Sequence, residues 1–138
     1  MNEARARAAL LARPEAYEDF PFGPAIRVFK VRERMFATLG RVPGFEVVGM
    51  NLKCDPQQAL ILREQFVAVI PGYHMNKTHW NTVLLDGSIP EREILWMIDH
   101  SYALVVKAMP RAARSSLEVA HGREALYRGT PGAQKITS

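Results

Sequence analysis

Ile26-Arg27-Val28-Phe29-Lys30-Val31-Arg32-Glu33-Arg34-Met35-Phe36-Ala37-Thr38-Leu39 is the stretch on which the fold turns. β-Branched and aromatic residues, which suit a pleated and half-buried surface, fill both halves, and three consecutive charges separate them. The pattern predicts two strands, 26–31 and 35–39, folded about a charged turn. Gly40, Pro43 and Gly44 then break the pattern, and 45–53 resumes it as a third strand, with Gly49 marking a bulge or a close approach.

Working outward, Asp55-Pro56-Gln57-Gln58 reads as a helix start: an N-cap acceptor, a proline at the first helical position and a Gln where a capping box places one. This helix runs to about residue 66. Pro71-Gly72 introduces 73–75, and 78–85 is β-rich, so a second hairpin is expected to turn at 75–78. Ser88 with Glu91 forms another capping box, and Ile94, Ile98, Tyr102 and Val105 make a one-sided apolar stripe ending at Pro110. Toward the N-terminus, 18–24 reads as a loop anchored by Phe20 and Phe22, and 3–12 as a first helix stopped by Pro14. Residues 111–120 add an optional last helix, and the sequence from Gly122 onward loses periodicity.

The order is α-β-β-β-α-β-β-α plus a possible C-terminal helix, an α+β domain in two layers with about five antiparallel strands packed against helices. The expected division is one domain over 1–120 and a basic, loose tail over 121–138.

The 138 residues are 48% hydrophobic, enough for one core without metal or disulfide staples. The single cysteine, Cys54, excludes a disulfide framework and four-cysteine metal sites. No run is long and apolar enough to span a membrane, and Arg5, Arg7 and Arg13 are unlike an apolar signal segment, so a cytoplasmic protein without a membrane partner is expected. The net charge of +4 sits at the ends: residues 1–13 carry +2, residues 110–138 carry +3, and the middle is −1. Basic tails on a neutral domain explain this balance as well as a nucleic-acid face does. No G-x-G-x-x-G, Walker loop or G-x-S-x-G elbow occurs, so phosphate-cradling and serine-hydrolase chemistry lack support, and no cofactor is expected.

The densest polar and aromatic cluster is Pro71-Gly72-Tyr73-His74-Met75-Asn76-Lys77-Thr78-His79-Trp80-Asn81-Thr82. Two imidazoles, His74 and His79, fall short of the three or four ligands a metal needs. Either could serve as a base with Cys54 as nucleophile, but no orienting third group is evident, and a lone Cys beside a helix cap commonly packs as a small hydrophobe. As a binding surface, Lys77 suits a phosphate or carboxylate, Asn76 and Asn81 supply hydrogen bonds, and Tyr73 and Trp80 can stack. The structural counterpart is that Trp80 anchors a core and Asn76 occupies a left-handed turn position.

The chain resembles the MmcQ/YjbR family over roughly residues 5–115. The resemblance rests on Glu18-Asp19-Phe20-Pro21-Phe22-Gly23; Val28-Phe29-Lys30-Val31 with Arg34-Met35-Phe36-Ala37; Asn51-Leu52-Lys53-Cys54-Asp55-Pro56; Pro71 to Lys77 with His79-Trp80-Asn81-Thr82-Val83; and Met97-Ile98-Asp99-His100-Ser101-Tyr102 with Leu104-Val105-Val106. The departures are the tail after 115 and Arg34 where Lys is usual. The resemblance implies the α+β layout above and DNA binding, the latter through likeness to a double-wing DNA-binding domain; the topology also resembles secretion chaperones that bind polypeptides.

Three functions follow as expectations. The first is non-catalytic DNA binding, with Arg27, Lys30, Lys53 and Lys77 on phosphates and His79, Trp80 and Asn81 beside them. The alternative is a protein or peptide interaction module, chaperone-like or homodimeric, with no nucleic-acid role. The third is a small-molecule site or enzyme built from His74, His79, Asn81 and Asp99, which requires a pocket rather than a solid core.

Overall fold

A computed structural model describes residues 1–129. The elements are α1 (Glu3–Leu11), β1 (Tyr17–Asp19), β2 (Ile26–Val31), β3 (Arg34–Arg41), β4 (Val48–Lys53), α2 (Pro56–Gln65), β5 (Val69–Pro71), β6 (Trp80–Leu84), α3 (Glu91–Lys107), α4 (Arg111–His121) and α5 (Arg123–Leu126). All strands join one antiparallel sheet in the order β1-β2-β3-β4-β6-β5. The α+β expectation holds, with a sixth strand: Tyr17–Asp19 pairs with Lys30 to Val28, where the sequence indicated only a loop.

The charged turn is a two-residue connection in which Arg32 (φ 47) and Glu33 (φ 66) both take left-handed backbone. That geometry matches strand twist and usually recruits Asn or Gly. Here Glu15 holds the Arg32 guanidinium through bonds of 2.7 and 3.3 Å. The third strand starts at Val48 rather than 45, because the Phe45 N–H turns back to the Val42 carbonyl and Gly44 takes φ 91. In α2, Asp55 accepts from the Gln58 N–H and Pro56 opens the helix, as its sequence dictates.

The second hairpin differs from expectation: Val69–Pro71 pairs with Trp80–Leu84, and 72–79 form the connection. Tyr73 leaves the ladder because its N–H donates to the Thr82 hydroxyl. His74, not Asn76, takes the left-handed position, at φ 57. The capping box at Ser88 is also absent: the Ser88 N–H and hydroxyl both bond Asp86, and α3 begins only after Pro90.

Ile94, Ile98, Tyr102 and Val105 are buried as the stripe predicted. α3 crosses β3 and β4, α1 packs on α3 and β3, and α2 lies along β5 and β6. One face of the sheet is thus covered: the register puts Ala37 and Leu39, Leu52 and Met50, and Asn81 and Val83 together there. Among the described residues no helix covers the other face.

Phe36 has no partner in β2, since Phe29 pairs with Ala37 and Lys30 with Met35. The β3–β4 register ends at Ala37 and Leu52, and the fully buried Ser101 hydroxyl bridges the next two residues, donating to the Phe36 carbonyl at 2.6 Å and accepting from the Lys53 N–H at 2.9 Å.

The loose tail expected from 121 is corrected over 121–129. α5 buries Leu126, and Gly129 presses so close to α3 that a Cβ there would lie 2.4 Å from the His100 nitrogen. Its carbonyl accepts from His100 Nδ1 at 2.7 Å, and His100 Nε2 accepts from the Asp55 N–H at 3.1 Å. These partners assign a neutral ring with the proton on Nδ1. The rest of the expected tail, 130–138, lies outside the described residues.

Two outcomes are expected. Ser101→Ala strands the Phe36 carbonyl and the Lys53 N–H and costs about 2–3 kcal/mol by chemical denaturation. Burial pushes the His100 pKa below its ordinary 6.5, so the unfolded chain takes up a proton the folded one refuses. Stability is then fully present above about pH 6.5 and falls as the pH drops below it; this slope should vanish in His100→Gln.

Candidate functional groove

The uncovered sheet face carries a groove of about 510 Å³. Its floor is a lateral row set by register, Thr38 beside Asn51 beside Thr82 on β3, β4 and β6. Ile26 and Met35 with Phe22 form one wall, Val42 and Pro43 another, and Tyr73, His74 and Met75 the third. Two backbone features open the space. The bulge at Phe36 puts both Met35 and Thr38 on this face, although three residues apart they would face opposite ways in a regular strand. Gly49 lacks a Cβ that would otherwise lie 2.8 Å from Val42 Cγ2, so Val42 can lean over the strand.

The floor also holds the loop that walls it. The Tyr73 N–H donates to Thr82 Oγ1 at 2.9 Å, the Thr82 hydroxyl donates to Asn51 Oδ1 at 2.5 Å, and Asn51 Nδ2 donates to the Tyr73 carbonyl at 3.2 Å. From α2, Arg63 Nε donates to Asn81 Oδ1 at 2.7 Å, and its other nitrogen reaches the Lys77 and Trp80 carbonyls. Neither Arg63 nor Thr38 stands out in sequence. The only signal is a polar residue in an otherwise apolar strand, and a cation on a helix next to the loop in space.

The seven residues expected to bind nucleic acid do not form one face. Arg27 bonds Glu18 at 2.9 Å and lies 3.8 Å from Glu3. Lys30 bonds Asp19 at 2.8 Å, which raises the Lys30 pKa and lowers that of Asp19. Lys77 folds back to the Gly72 carbonyl at 2.9 Å. Asn81 is buried on the helix side, where its amide also reaches the Ala59 carbonyl. Only Lys53, His79 and Trp80 gather at one corner: Lys53 pairs with Trp80 in register, and the exposed His79 gives its carbonyl to the Cys54 N–H.

The chemistry expected of Cys54 and the histidines is likewise dispersed. Burial pushes the Cys54 thiol up to about 12, so it stays protonated. The space beside Cys54, His100 and Asn81 is only about 10 Å³. Asp99 pairs with Arg13 at 3.1 Å. Of the third set, only His74 lines the groove. No group of three or more His, Cys, Asp or Glu able to hold a metal occurs among the described residues, and no helix there is long and apolar enough to cross a membrane.

A family model described as YjbR matches residues 11–104. The Escherichia coli K12 protein YjbR is 36% identical over 107 residues, covering 78% of this chain and 89% of that protein. The Bacillus subtilis protein YyaQ is 41% identical over 59 residues, 43% of this chain and 49% of that one. Among solved structures, a Deinococcus radiodurans protein with the family-model domain DUF419 superposes with a TM-score of 0.76 at 34% identity, covering 84% of this chain and 87% of that one. A Pseudomonas syringae protein gives 0.69 at 30% identity, covering 76% and 99%.

Thr82→Val keeps the shape of the floor and removes both of its hydroxyl bonds. It should cost about 1–3 kcal/mol and speed hydrogen exchange at the Tyr73 amide, with the β3 amides unaffected.

Proposed function

The chain belongs to the YjbR family, and on that premise we propose that it is a non-catalytic binding module whose ligand seats in the groove on the uncovered sheet face. The observation that carries this reading is the groove itself: about 510 Å³, apolar in its walls, polar in its floor and fixed by the Tyr73 tether. Sites for small ligands and anchoring side chains have this size and composition. Addition of a partner's strand to the sheet edge is less supported. β1 and β5 are three residues each, and Pro71 on β5 has no N–H to offer.

Phe22 stands at the rim, 69% exposed, and adds an aromatic ring to the groove wall that a ligand can meet. Cys54, held protonated by burial, lies outside the groove, and His74 is the one histidine in its lining, so the reading for this face is recognition rather than turnover.

DNA binding, with the double-wing likeness behind it, is the second reading, and one observation favours it. Lys53 has no acidic partner among the described residues and stands beside Trp80, an arrangement that suits a phosphate with a stacked base. Against it, Arg27 and Lys30 are already neutralised by carboxylates.

The neutral fluorophore N-phenyl-1-naphthylamine should bind the native chain, and Phe22→Ala should weaken it about five- to tenfold, the loss of one aromatic contact. Binding unchanged in both Phe22→Ala and Met35→Glu would remove the groove from consideration. In fluorescence anisotropy, labelled duplex and single-stranded DNA should not saturate at physiological salt. A slope of several counterions that drops by about one in Lys53→Ala would put the DNA reading in its place.

A further inference from the structure

Resting on the groove reading, we propose that the groove takes a small monocarboxylic acid with an aromatic or branched aliphatic body, its carboxylate seated on Thr38 and Asn51. The hydrogen-bond inventory of the floor points there. Thr38 is only 9% exposed, lines the groove, and its hydroxyl has no partner among the described residues. The hydroxyl opens into the groove, where it meets solvent and a ligand atom can replace that contact.

Asn51 narrows the partner to an acceptor. The Tyr73 carbonyl can only accept, so the Asn51 amide faces it with Nδ2, which turns Oδ1 toward Thr82 and makes the Thr82 hydroxyl the donor there. Nδ2 carries two protons and that carbonyl uses one. One amide N–H is left over, on the residue paired with Thr38 in register. Two adjacent donors therefore await an acceptor.

The charge of the lining selects an anionic acceptor. No Asp or Glu borders the groove, whereas Arg41 does. A carboxylate meets two donors and no repulsion, and a bond to a charged acceptor is about twice as strong as one to a neutral carbonyl. The body of the ligand is set by the walls: the aromatic rings of Phe22 and Tyr73, with Met35 and Met75, whose thioethers adapt to varied apolar shapes. A second carboxylate would have to lie among these apolar side chains, which is why a monoacid is specified.

The test uses the full chain, with 3-phenylpropionate, 3-phenylpropanamide and N-phenyl-1-naphthylamine as probes, read by amide chemical shifts and by calorimetry. The acid should shift the amides of residues 38, 51, 73 and 82 and bind about tenfold tighter than the amide. Thr38→Val should weaken the acid about tenfold without altering the naphthylamine, Thr38→Ser should restore it, and Arg41→Gln should weaken it about threefold. If the amide binds as well as the acid, or Thr38→Val changes nothing, the carboxylate assignment is overturned while the groove reading survives. If no probe moves those amides, both fall together.

Discussion

The Ser101 hydroxyl, wedged between the Phe36 carbonyl and the Lys53 N–H, is the contact on which the arrangement of this molecule depends. Where the β3–β4 register ends, a backbone carbonyl and a backbone N–H face each other without pairing, and a carbonyl buried without a hydrogen bond is expensive. α3 supplies the missing donor from its buried face and in the same stroke is fixed across β3 and β4. The neighbouring Phe36 and Tyr102 rings meet edge to face at 5.3 Å, so the polar fastening is sealed in apolar surroundings.

What the bulge does on the other face is the functional consequence. By adding one residue to β3 it turns Met35 to the same side as Thr38, and the groove gains a wall and a polar floor from a single strand. The two faces thus divide the work. One is filled by helices and carries the stability; the other holds a polar row, Thr38, Asn51 and Thr82, on which the Tyr73 backbone is tied down at both its N–H and its carbonyl.

The residues that carry the family resemblance sort themselves in the same way. Asp19 with Lys30 joins β1 to β2, and Asp99 with Arg13 ties α3 to the chain just after α1. His100 joins α3 to the start of α2 and to Gly129. Asn81 receives Arg63 and steadies the loop after β5. Asn51 floors the groove, and Lys53 and Trp80 pair in register outside its lining. A set that looks in one dimension like a single binding surface is in three dimensions a group of fastenings around one groove.

The sequence alone determined whatever depends on neighbours along the chain. The β-branched and aromatic runs of β2 and β3, the Asp55-Pro56 start of α2 and the stripe of α3 are legible because strand preference, capping and helical periodicity act over a few residues. Tertiary structure decided the rest, because it depends on partners far away in sequence. Tyr17–Asp19 is a strand only because Val28 to Lys30 lies alongside. The side chains of Arg27 and Lys30 are positive charges in sequence and neutral pairs in the fold. The groove exists because a bulge, a glycine and three strands bring residues 22 to 82 around one space, which no local pattern records.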